Sequence, residues 1–311
     1  MTDTLREPAV GPGGESGAGA AAEGSPGTGV AESPADQEGA ARRPANRRAR
    51  TMVARVVPAL VTLLLFLGVW EFASTQLMSP HRRFLLPTPG SVLRHGLLDG
   101  TTMHQITSSL WLTTRLALFG LAVAIALGVV LGILMFRVRW AERAAYPYLV
   151  ALQAVPVLAI APLMTVLFGY SFWAKSIIVV IIAFFPIPTT LLLGMKSVDK
   201  GLIDLFRLSG ASWSTQLRKL AFPSALPSLF TGLRISAGLS VIGAIVGELF
   251  FQQGDPGLGQ RIYAYQTNMQ YPQLYTAIIF SSLLGIAIFT VFGWIGHRAL
   301  RSWHESAGEE R

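Results

Sequence analysis

Two short stretches of the sequence hold residue types that could bind a nucleotide phosphate. Residues 208–212 read LSGAS, which is close to the LSGGQ signature of nucleotide-hydrolysing domains. Such domains also need a glycine-rich loop ending in Gly-Lys-Ser/Thr, because its backbone amides and lysine hold the phosphates. The chain contains no Gly-Lys pair, so the LSGAS match is a coincidence. Residues 254–261, GDPGLGQR, are glycine-rich but follow no strand, and they predict a turn.

Residues that bind metals or attack substrates are also poorly placed for chemistry. The sequence has no cysteine, and its five histidines are scattered without the spacing of metal ligands. No nucleophile, base and metal ligand cluster in the way that defines a membrane enzyme. We therefore expect no catalytic, cofactor-binding or metal-binding residues in this chain.

The composition is that of a membrane protein. The chain has 311 residues, of which 51% are hydrophobic and only 14% charged, and its mean hydropathy is positive. Soluble domains of this length are less apolar. The net charge of +8 is explained by basic loops beside membrane spans, which argues against nucleic-acid binding.

Six apolar stretches are long enough to cross a bilayer, since a hydrocarbon core of about 30 Å takes about 20 helical residues. In lipid every backbone polar group needs an internal partner, and the alternation of a β-barrel is not seen. The sequence therefore predicts an all-α integral membrane fold with six transmembrane helices near residues 53–77, 108–136, 147–168, 173–197, 225–250 and 274–297.

The charged regions around the spans predict the topology. Residues 1–50 predict a disordered tail, acidic and then rich in arginine, ahead of a membrane domain over residues 51–311. A secretory signal peptide is the alternative, but the apolar run is long and lacks a small-residue cleavage site. Basic residues concentrate in the tail, after the second and fourth spans, and after the sixth. Because cytoplasmic segments carry excess Lys and Arg, both termini are predicted to be cytoplasmic.

The longest inner loop, residues 198–223, predicts two short helices joined at a corner. Apolar residues in KGLIDLFRLS have the spacing of an amphipathic helix, which Gly210 ends. Ser212 caps a second helix over SWSTQLRKLAF, and Pro223 stops that helix before the fifth span. The loop is thus a compact projection on the cytoplasmic face, with an amphipathic segment lying in the lipid interface as the alternative.

The 198–223 loop resembles the cytoplasmic loop of binding-protein-dependent ABC importer permeases. In that family Glu-Ala-Ala is followed by three residues, Gly, nine residues and Ile-x-Leu-Pro. The spacing is intact in DLFRLSGASWSTQLRKLAFP, with Asp204, Gly210 and Pro223 at the acidic, glycine and proline positions. Leu205 and Phe206 stand where two alanines are usual.

The resemblance to this family covers roughly residues 55–303. Within the family, the segments ALPSLFTGLRISAGLSVIGAIVGELFF and FFQQGDPGLG resemble the group of nitrate, sulfonate, taurine and vitamin-precursor importers. It implies a type I ABC importer permease with cytoplasmic coupling helices, acting as a homodimer in a bacterial plasma membrane. It implies two partners, a cytoplasmic ATPase that binds ATP and magnesium and an extracytoplasmic substrate-binding protein, and no cofactor in this chain. The implied ATPase-coupling interface is Asp204, Leu205, Phe206, Arg207, Gly210, Ala211, Ser212, Trp213 and Pro223.

Polar residues and prolines within the spans mark a candidate translocation pathway. Prolines in AVPVLAIAP and FFPIPTT interrupt the third and fourth spans, and each frees a backbone carbonyl for a solute or water. Helices broken at mid-membrane line the path in other transporters, with a packing kink as the alternative. The candidates are Gln153, Pro156, Thr165, Pro186, Pro188, Thr189, Thr190, Ser240 and Glu248.

Glu248, near the outer end of the fifth span, needs water or a partner at that depth. Arg115, near the outer end of the second span, is a candidate for an intramembrane pair with Glu248. A hydrogen bond, solvation at the interface and a role in gating are the alternatives.

The predicted function is that of a noncatalytic permease subunit of an ATP-driven ABC importer. The predicted solute is small, either a sulfonate- or nitrate-like anion or a thiamine- or riboflavin-type vitamin precursor. The alternative is a secondary transporter or channel driven by an ion gradient, which would use several intramembrane charges for coupling. The spans contain too few such charges to favour it.

Overall fold

A computed structural model describes residues 44–154 and 156–304 of the chain, and the regular structure in these ranges is helical. The chain divides after Leu64 into two compact units, and the boundary lies within helix α1 (Pro44–Phe72). Helix α1 begins inside the range predicted as tail, because proline suits a first helical turn and Ala and Arg favour helix. The rest of the predicted disordered tail, residues 1–43, lies outside the described residues.

The helices that follow α1 differ widely in length. They are α2 (Pro89–Val92), α3 (Gly100–Arg137), α4 (Arg139–Ala154), α5 (Val157–Phe168), α6 (Phe172–Phe184), α7 (Pro186–Lys196), α8 (Lys200–Leu208), α9 (Trp213–Gln216), α10 (Phe222–Phe250), α11 (Leu258–Thr267) and α12 (Tyr271–His304). A 3-10 helix lies at Pro80–Leu85, and π-helical turns lie at Ala73–Leu77, Leu93–Leu97 and Leu217–Ala221.

Within the described ranges, five continuous helical stretches are long and apolar enough to span a membrane. They are Leu60–Leu77, Gly100–Arg137, Phe172–Lys196, Trp213–Phe250 and Tyr271–Leu300. The predicted third span is instead the pair α4 and α5, which bends by 103° and forms either a broken span or a re-entrant loop. Pro156 lies at the start of α5 and accounts for the break, because proline lacks an N–H and disfavours helix in the residue before it.

The predictions made from proline positions have different outcomes. Helix α6 ends at Phe184 and α7 begins at Pro186, so the regular helix is interrupted there, while Phe172–Lys196 still forms one apolar span. Pro186 and Pro188 fall in the first turn of α7, where a missing N–H is tolerated. The prediction for Pro223 is wrong, because Pro223 does not stop a helix. The π-helical turn Leu217–Ala221 leads directly into α10, so Pro223 again falls in a first turn and Trp213–Phe250 is continuous.

Helix α10 is the centre of the bundle and packs against α3, α6, α7 and α12. Small residues bring the backbones close together. On α3 these small residues recur at every fourth position and are buried, a spacing typical of tightly packed membrane helices: Gly120, Ala124, Gly128 and Gly132. A Cβ atom at Gly128 would lie only 2.8 Å from Ile187 Cβ. This seam therefore lets side chains of α6 and α7, such as Val179 and Ile187, pack directly against the backbone of α3.

Candidate functional site

Helix α8 of the 198–223 loop presents an apolar stripe to its surroundings. Asp199 caps the helix by accepting a hydrogen bond from the Gly201 N–H at 2.6 Å. The side chains of Leu202, Leu205 and Leu208 are 46%, 59% and 88% exposed. Residues three apart lie on one side of a helix, so these leucines form a continuous exposed surface.

The opposite side of α8 faces the bundle. Phe206 is partly buried, so the structure separates it from Leu205, its neighbour in the sequence. Asp204 and Arg207 form an i, i+3 ion pair at 3.5 Å with both side chains in water. A solvent-exposed pair of this kind contributes little to stability. Of the two bulky residues that replace the usual alanines, only Leu205 lies on the exposed stripe.

The corner after α8 depends on Gly210. Its φ of +70° lies in the left-handed region, which glycine adopts without steric cost. The Ala211 N–H donates to the Phe206 carbonyl at 3.0 Å and closes the end of α8. Ser212 then caps α9 by accepting from the Thr215 N–H at 3.3 Å. The predicted glycine corner and serine cap are confirmed.

Trp213 joins the loop to the spans. The Arg137 guanidinium, at the end of α3, lies 4.3 Å from the centre of the Trp213 ring, which is a cation–π contact. Nearby, Lys196 at the end of α7 pairs with Glu142 of α4 at 2.5 Å. Since α9 runs through its π-helical turn into α10, one continuous helical stretch joins the loop to the central helix of the bundle.

Glu248 lies at the opposite end of α10 and is only 2% exposed. Its carboxylate accepts hydrogen bonds from the Thr113 hydroxyl of α3 at 2.9 Å and from the Gly259 N–H at 2.9 Å. The Thr113 oxygen accepts in turn from the Leu258 N–H at 2.8 Å. Two side chains from other helices therefore satisfy the first free N–H groups of α11, where the helix dipole also favours a negative charge.

The predicted pair between Arg115 and Glu248 is not formed. The Arg115 guanidinium lies 5.4 Å from the centre of the Phe172 ring, and the two ion pairs among the described residues lie elsewhere. The backbone N–H groups at the start of α11 bind the Glu248 carboxylate in place of Arg115, because a helix N-terminus leaves donors that need an acceptor. Of the alternatives considered for Glu248, the structure has the hydrogen-bonded one.

Lys175 is a residue whose setting the sequence did not reveal. Its side chain is basic and yet only 7% exposed. It lines a cavity of about 220 Å³ together with Arg115, Glu248 and Asp255. A lysine just inside the apolar stretch SFWAKSII was the signal, since a charge there needs a partner or water. Two cations and two carboxylates therefore meet at the Glu248 end.

The predicted pathway residues do not converge on one cavity. Thr189 and Thr190 line a cavity of about 420 Å³ that also includes Glu142 and Lys196, near the 198–223 loop. Their hydroxyls donate to carbonyls of their own span, at Phe185 and Pro186. These threonines therefore lie close to the Arg137 end of the bundle, whereas Glu248 lies at the other end.

The remaining pathway candidates are dispersed. Gln153 and Pro156 are exposed and flank the break between α4 and α5. The Thr165 hydroxyl donates to the Pro162 carbonyl, and the buried Ser240 hydroxyl donates to the Ala237 carbonyl. In the part of the chain that the structure describes, no three His, Asp or Glu residues are grouped so as to hold a metal ion.

The described chain is a bundle of helices long and apolar enough to span a membrane, with a jointed loop at one end and the capped helix α11 at the other. A solved chain of the inward-facing MetNI methionine ABC transporter has this fold, with a TM-score of 0.54 and 19% identity, covering 66% of this chain and 98% of that chain. A chain of an amino acid ABC transporter gives a TM-score of 0.52 at 16% identity. The fold is that of a type I ABC importer permease.

The sequence comparison identifies the family. Residues 124–301, more than half of the chain, match the binding-protein-dependent transport system inner membrane component, and the chain belongs to this family. The formylaminopyrimidine transport permease protein ThiX of Halalkalibacterium halodurans is 38% identical over 75% of this chain and 90% of its own length. The riboflavin transport system permease protein RibX of Chloroflexus aurantiacus is 33% identical over 80% and 92%. The taurine transport system permease protein TauC of Escherichia coli is 30% identical over 80% and 90%.

These similarities confirm the resemblance predicted from the 198–223 loop and the fifth span. The protein is an integral, multi-pass permease component of an ABC importer of the inner membrane. Membership of this family argues against the alternative of a transporter or channel driven by an ion gradient.

Proposed function

We propose that two copies of this chain form the translocation pathway for a small solute and couple its movement to a separate ATPase. The ATPase binds at the 198–223 loop, and a soluble substrate-binding protein docks at the Glu248 end. In this arrangement the loop and both termini are cytoplasmic. The observation that carries the proposal is the exposed leucine stripe of α8, in a chain that belongs to the importer permease family.

The stripe has the properties of a docking element. Leu202, Leu205 and Leu208 expose large apolar side chains on one helical face, and such a face favours burial in a groove of a partner. The Gly210 corner fixes the angle between α8 and α9, and the Trp213 contact with Arg137 holds the loop against the spans. A partner that grips α8 therefore moves a rigidly attached segment.

The continuous helix Trp213–Phe250 supports transmission across the membrane. Its 38 residues correspond to a length of about 57 Å at 1.5 Å per residue. At its far end Glu248 caps α11, so movement of the ATPase reaches the face at which the binding protein docks. ATP-driven closure would then exchange outward-open and inward-open packings as rigid-body movements.

We infer that the solute is a heterocyclic vitamin precursor of the thiamine or riboflavin type. The support is the identity of 38% with the formylaminopyrimidine permease and 33% with the riboflavin permease. A sulfonate-like anion is the second candidate. It is favoured by Lys175 and Arg115 in the cavity at the Glu248 end, and by 30% identity with the taurine permease.

Reconstitution tests this function. The chain is placed in liposomes with its ATPase, with ATP on the ATPase side and the binding protein on the other. We expect uptake of labelled formylaminopyrimidine that requires ATP and all three components, with riboflavin and taurine tested as competitors. Accumulation driven by an ion gradient in liposomes holding this chain alone would contradict the proposal.

A further inference from the structure

A cavity of about 600 Å³ lies between the 198–223 loop and the adjoining ends of α3, α4 and α7. We call it the basic cavity, because one carboxylate, that of Glu142, faces five cations: Arg137, Arg139, Arg143, Lys196 and Arg207. This balance differs from that of the charged cavity at the Glu248 end, which has two charges of each sign. The basic cavity therefore carries a strong positive potential at the surface end of the spans.

Some of these charges already have partners. Glu142 pairs with Lys196 at 2.5 Å, and Arg137 stacks on the Trp213 ring at 4.3 Å. Arg207 has only the solvent-exposed contact with Asp204 at 3.5 Å. Since Glu142 is the only carboxylate of the lining and is used by Lys196, the positive charge of the arginines is left uncompensated inside the cavity.

Arg139 and Arg143 are two exposed cations that line the cavity from the first turns of α4. They lie four residues apart on α4, one turn from each other, and they have no side-chain acceptor within residues 44–154 and 156–304. Like charges at this spacing destabilise a helix. An anion between them would offset that repulsion, and guanidinium groups match phosphate oxygens in a two-pronged geometry.

The walls of the cavity point to the kind of anion. Apolar side chains of Phe136, Val198, Ile203 and Leu220 line it beside the cations. Its position at the ends of three spans is the depth at which phospholipid headgroups lie, and basic pockets between transmembrane helices bind such headgroups. We propose that the basic cavity binds a phosphate-bearing anion, supplied by an anionic phospholipid or by free phosphate.

Occupancy would brace the loop against the spans. The lining combines Arg207, Trp213 and Gln216 of the loop with residues of α3, α4 and α7. An anion shared between these groups fixes the position of α8 relative to the core, so the coupling element would depend on the surrounding lipid. This proposal is independent of which solute the importer carries.

Binding to the full-length protein in neutral detergent tests the proposal. The probes are dioleoylphosphatidylglycerol, dioleoylphosphatidylcholine and inorganic phosphate, with retained ligand measured by native mass spectrometry and affinity by titration. The double variant Arg139→Gln with Arg143→Gln should weaken binding about thirtyfold, because each basic residue near an anionic lipid strengthens binding about fivefold. The control, Arg218→Gln with Lys219→Gln, removes two charges from the 198–223 loop that do not line the cavity.

The outcomes separate the two sources of phosphate. Retention of phosphatidylglycerol over phosphatidylcholine, lost in the cavity variant and kept in the control, supports a lipid headgroup. Binding of inorganic phosphate with the same dependence on the variants supports free phosphate. No binding of either, or equal loss in both double variants, overturns the proposal. The variant Arg139→Lys with Arg143→Lys keeps the charge and checks folding, and its affinity should lie between wild type and the glutamine variant.

Discussion

The Thr113 hydroxyl lies 2.9 Å from the Glu248 carboxylate, although 135 residues separate them in the chain. The contact joins α3 to α10, and both side chains hold the first turn of α11 through the Leu258 and Gly259 amides. A carboxylate in a membrane span is costly unless donors surround it. One donor is the Thr113 hydroxyl of α3, and the other is the Gly259 N–H at the start of α11, which would otherwise be unsatisfied. The Glu248 carboxylate and the first turn of α11 therefore satisfy each other's hydrogen-bonding needs.

Removing the Thr113 hydroxyl should therefore destabilise the Glu248 end. Thr113→Val keeps the shape but leaves Glu248 and the Leu258 N–H each short of a partner, which costs about 1–3 kcal/mol per buried group. Thr113→Ser keeps the hydroxyl and serves as the control. Thermal unfolding in detergent, with proteolysis of residues 252–257, measures the effect. Equal stability of the valine and serine variants would show that the hydrogen bonds contribute nothing.

A charge in the leucine stripe should uncouple the importer. Leu205→Asp places a carboxylate in the surface proposed to meet the ATPase, and transport should fall at least tenfold while the bundle stays folded, because α8 lies outside the core. Ser214→Asp adds the same charge in the first turn of α9, where a negative charge is favourable. Uptake and co-purification of the ATPase are measured for both variants. If uptake and ATPase co-purification were lost in Ser214→Asp but kept in Leu205→Asp, the leucine stripe would not be the interface.

The Gly210 corner should resist any residue with a Cβ. At φ +70° an alanine costs about 1–2 kcal/mol, whereas asparagine adopts this region more readily. Space is not the obstacle, since no atom lies within 4 Å of a Cβ built at this position. We expect Gly210→Ala to lower transport more than Gly210→Asn, with both proteins inserted normally. Identical activity of the two variants would mean that the angle between α8 and α9 does not matter.

The cap of α3 should be sensitive to acid. The Thr102 hydroxyl and N–H donate to Asp99 at 2.6 and 2.9 Å and hold the pKa of its carboxyl below the ordinary 3.8. Because the folded pKa is depressed, the stabilisation is complete above about pH 4 and is lost as the pH falls through the folded pKa. The advantage of wild type over Asp99→Asn in unfolding experiments should shrink in acid.

Ser171 provides the control for that experiment. Its hydroxyl caps α6 by accepting from the Ala174 N–H and does not titrate, so the penalty of Ser171→Ala should be the same across the pH range. A similar pH dependence for Ser171→Ala would trace the effect to other carboxyl groups.

The sequence predicted the spans and the loop because these depend on local rules. Apolar length determines what crosses a bilayer, a glycine just past the end of one helix determines a corner, and a serine directly before the next helix determines a cap. The 103° bend at Pro156 was harder to predict, because a proline that kinks a helix and a proline that breaks it have the same appearance in a sequence. Pro223 misled for a related reason, because proline is tolerated in a first helical turn and its position in that turn depends on the neighbouring helix.

The partner of Glu248 could not be predicted because the contact is not local. Thr113 is one of several threonines near the start of α3, and spacing does not distinguish it from Thr107 or Thr114, which bond to their own helix. The α11 amides compete with Arg115 for the carboxylate only once the chain has folded back. Charge alone favoured Arg115, whereas geometry favoured the helix N-terminus.

The glycine seam of α3 has a consequence for how the molecule changes shape. Because the Ile187 side chain packs directly on the α3 backbone at Gly128, rotation or sliding of either helix would cause a collision, so we expect α3, α6 and α7 to move as one block. Bending then has to be absorbed where the chain is already interrupted. We expect the bent junction of α4 and α5 to act as the pivot when the subunit changes between its outward-open and inward-open packings.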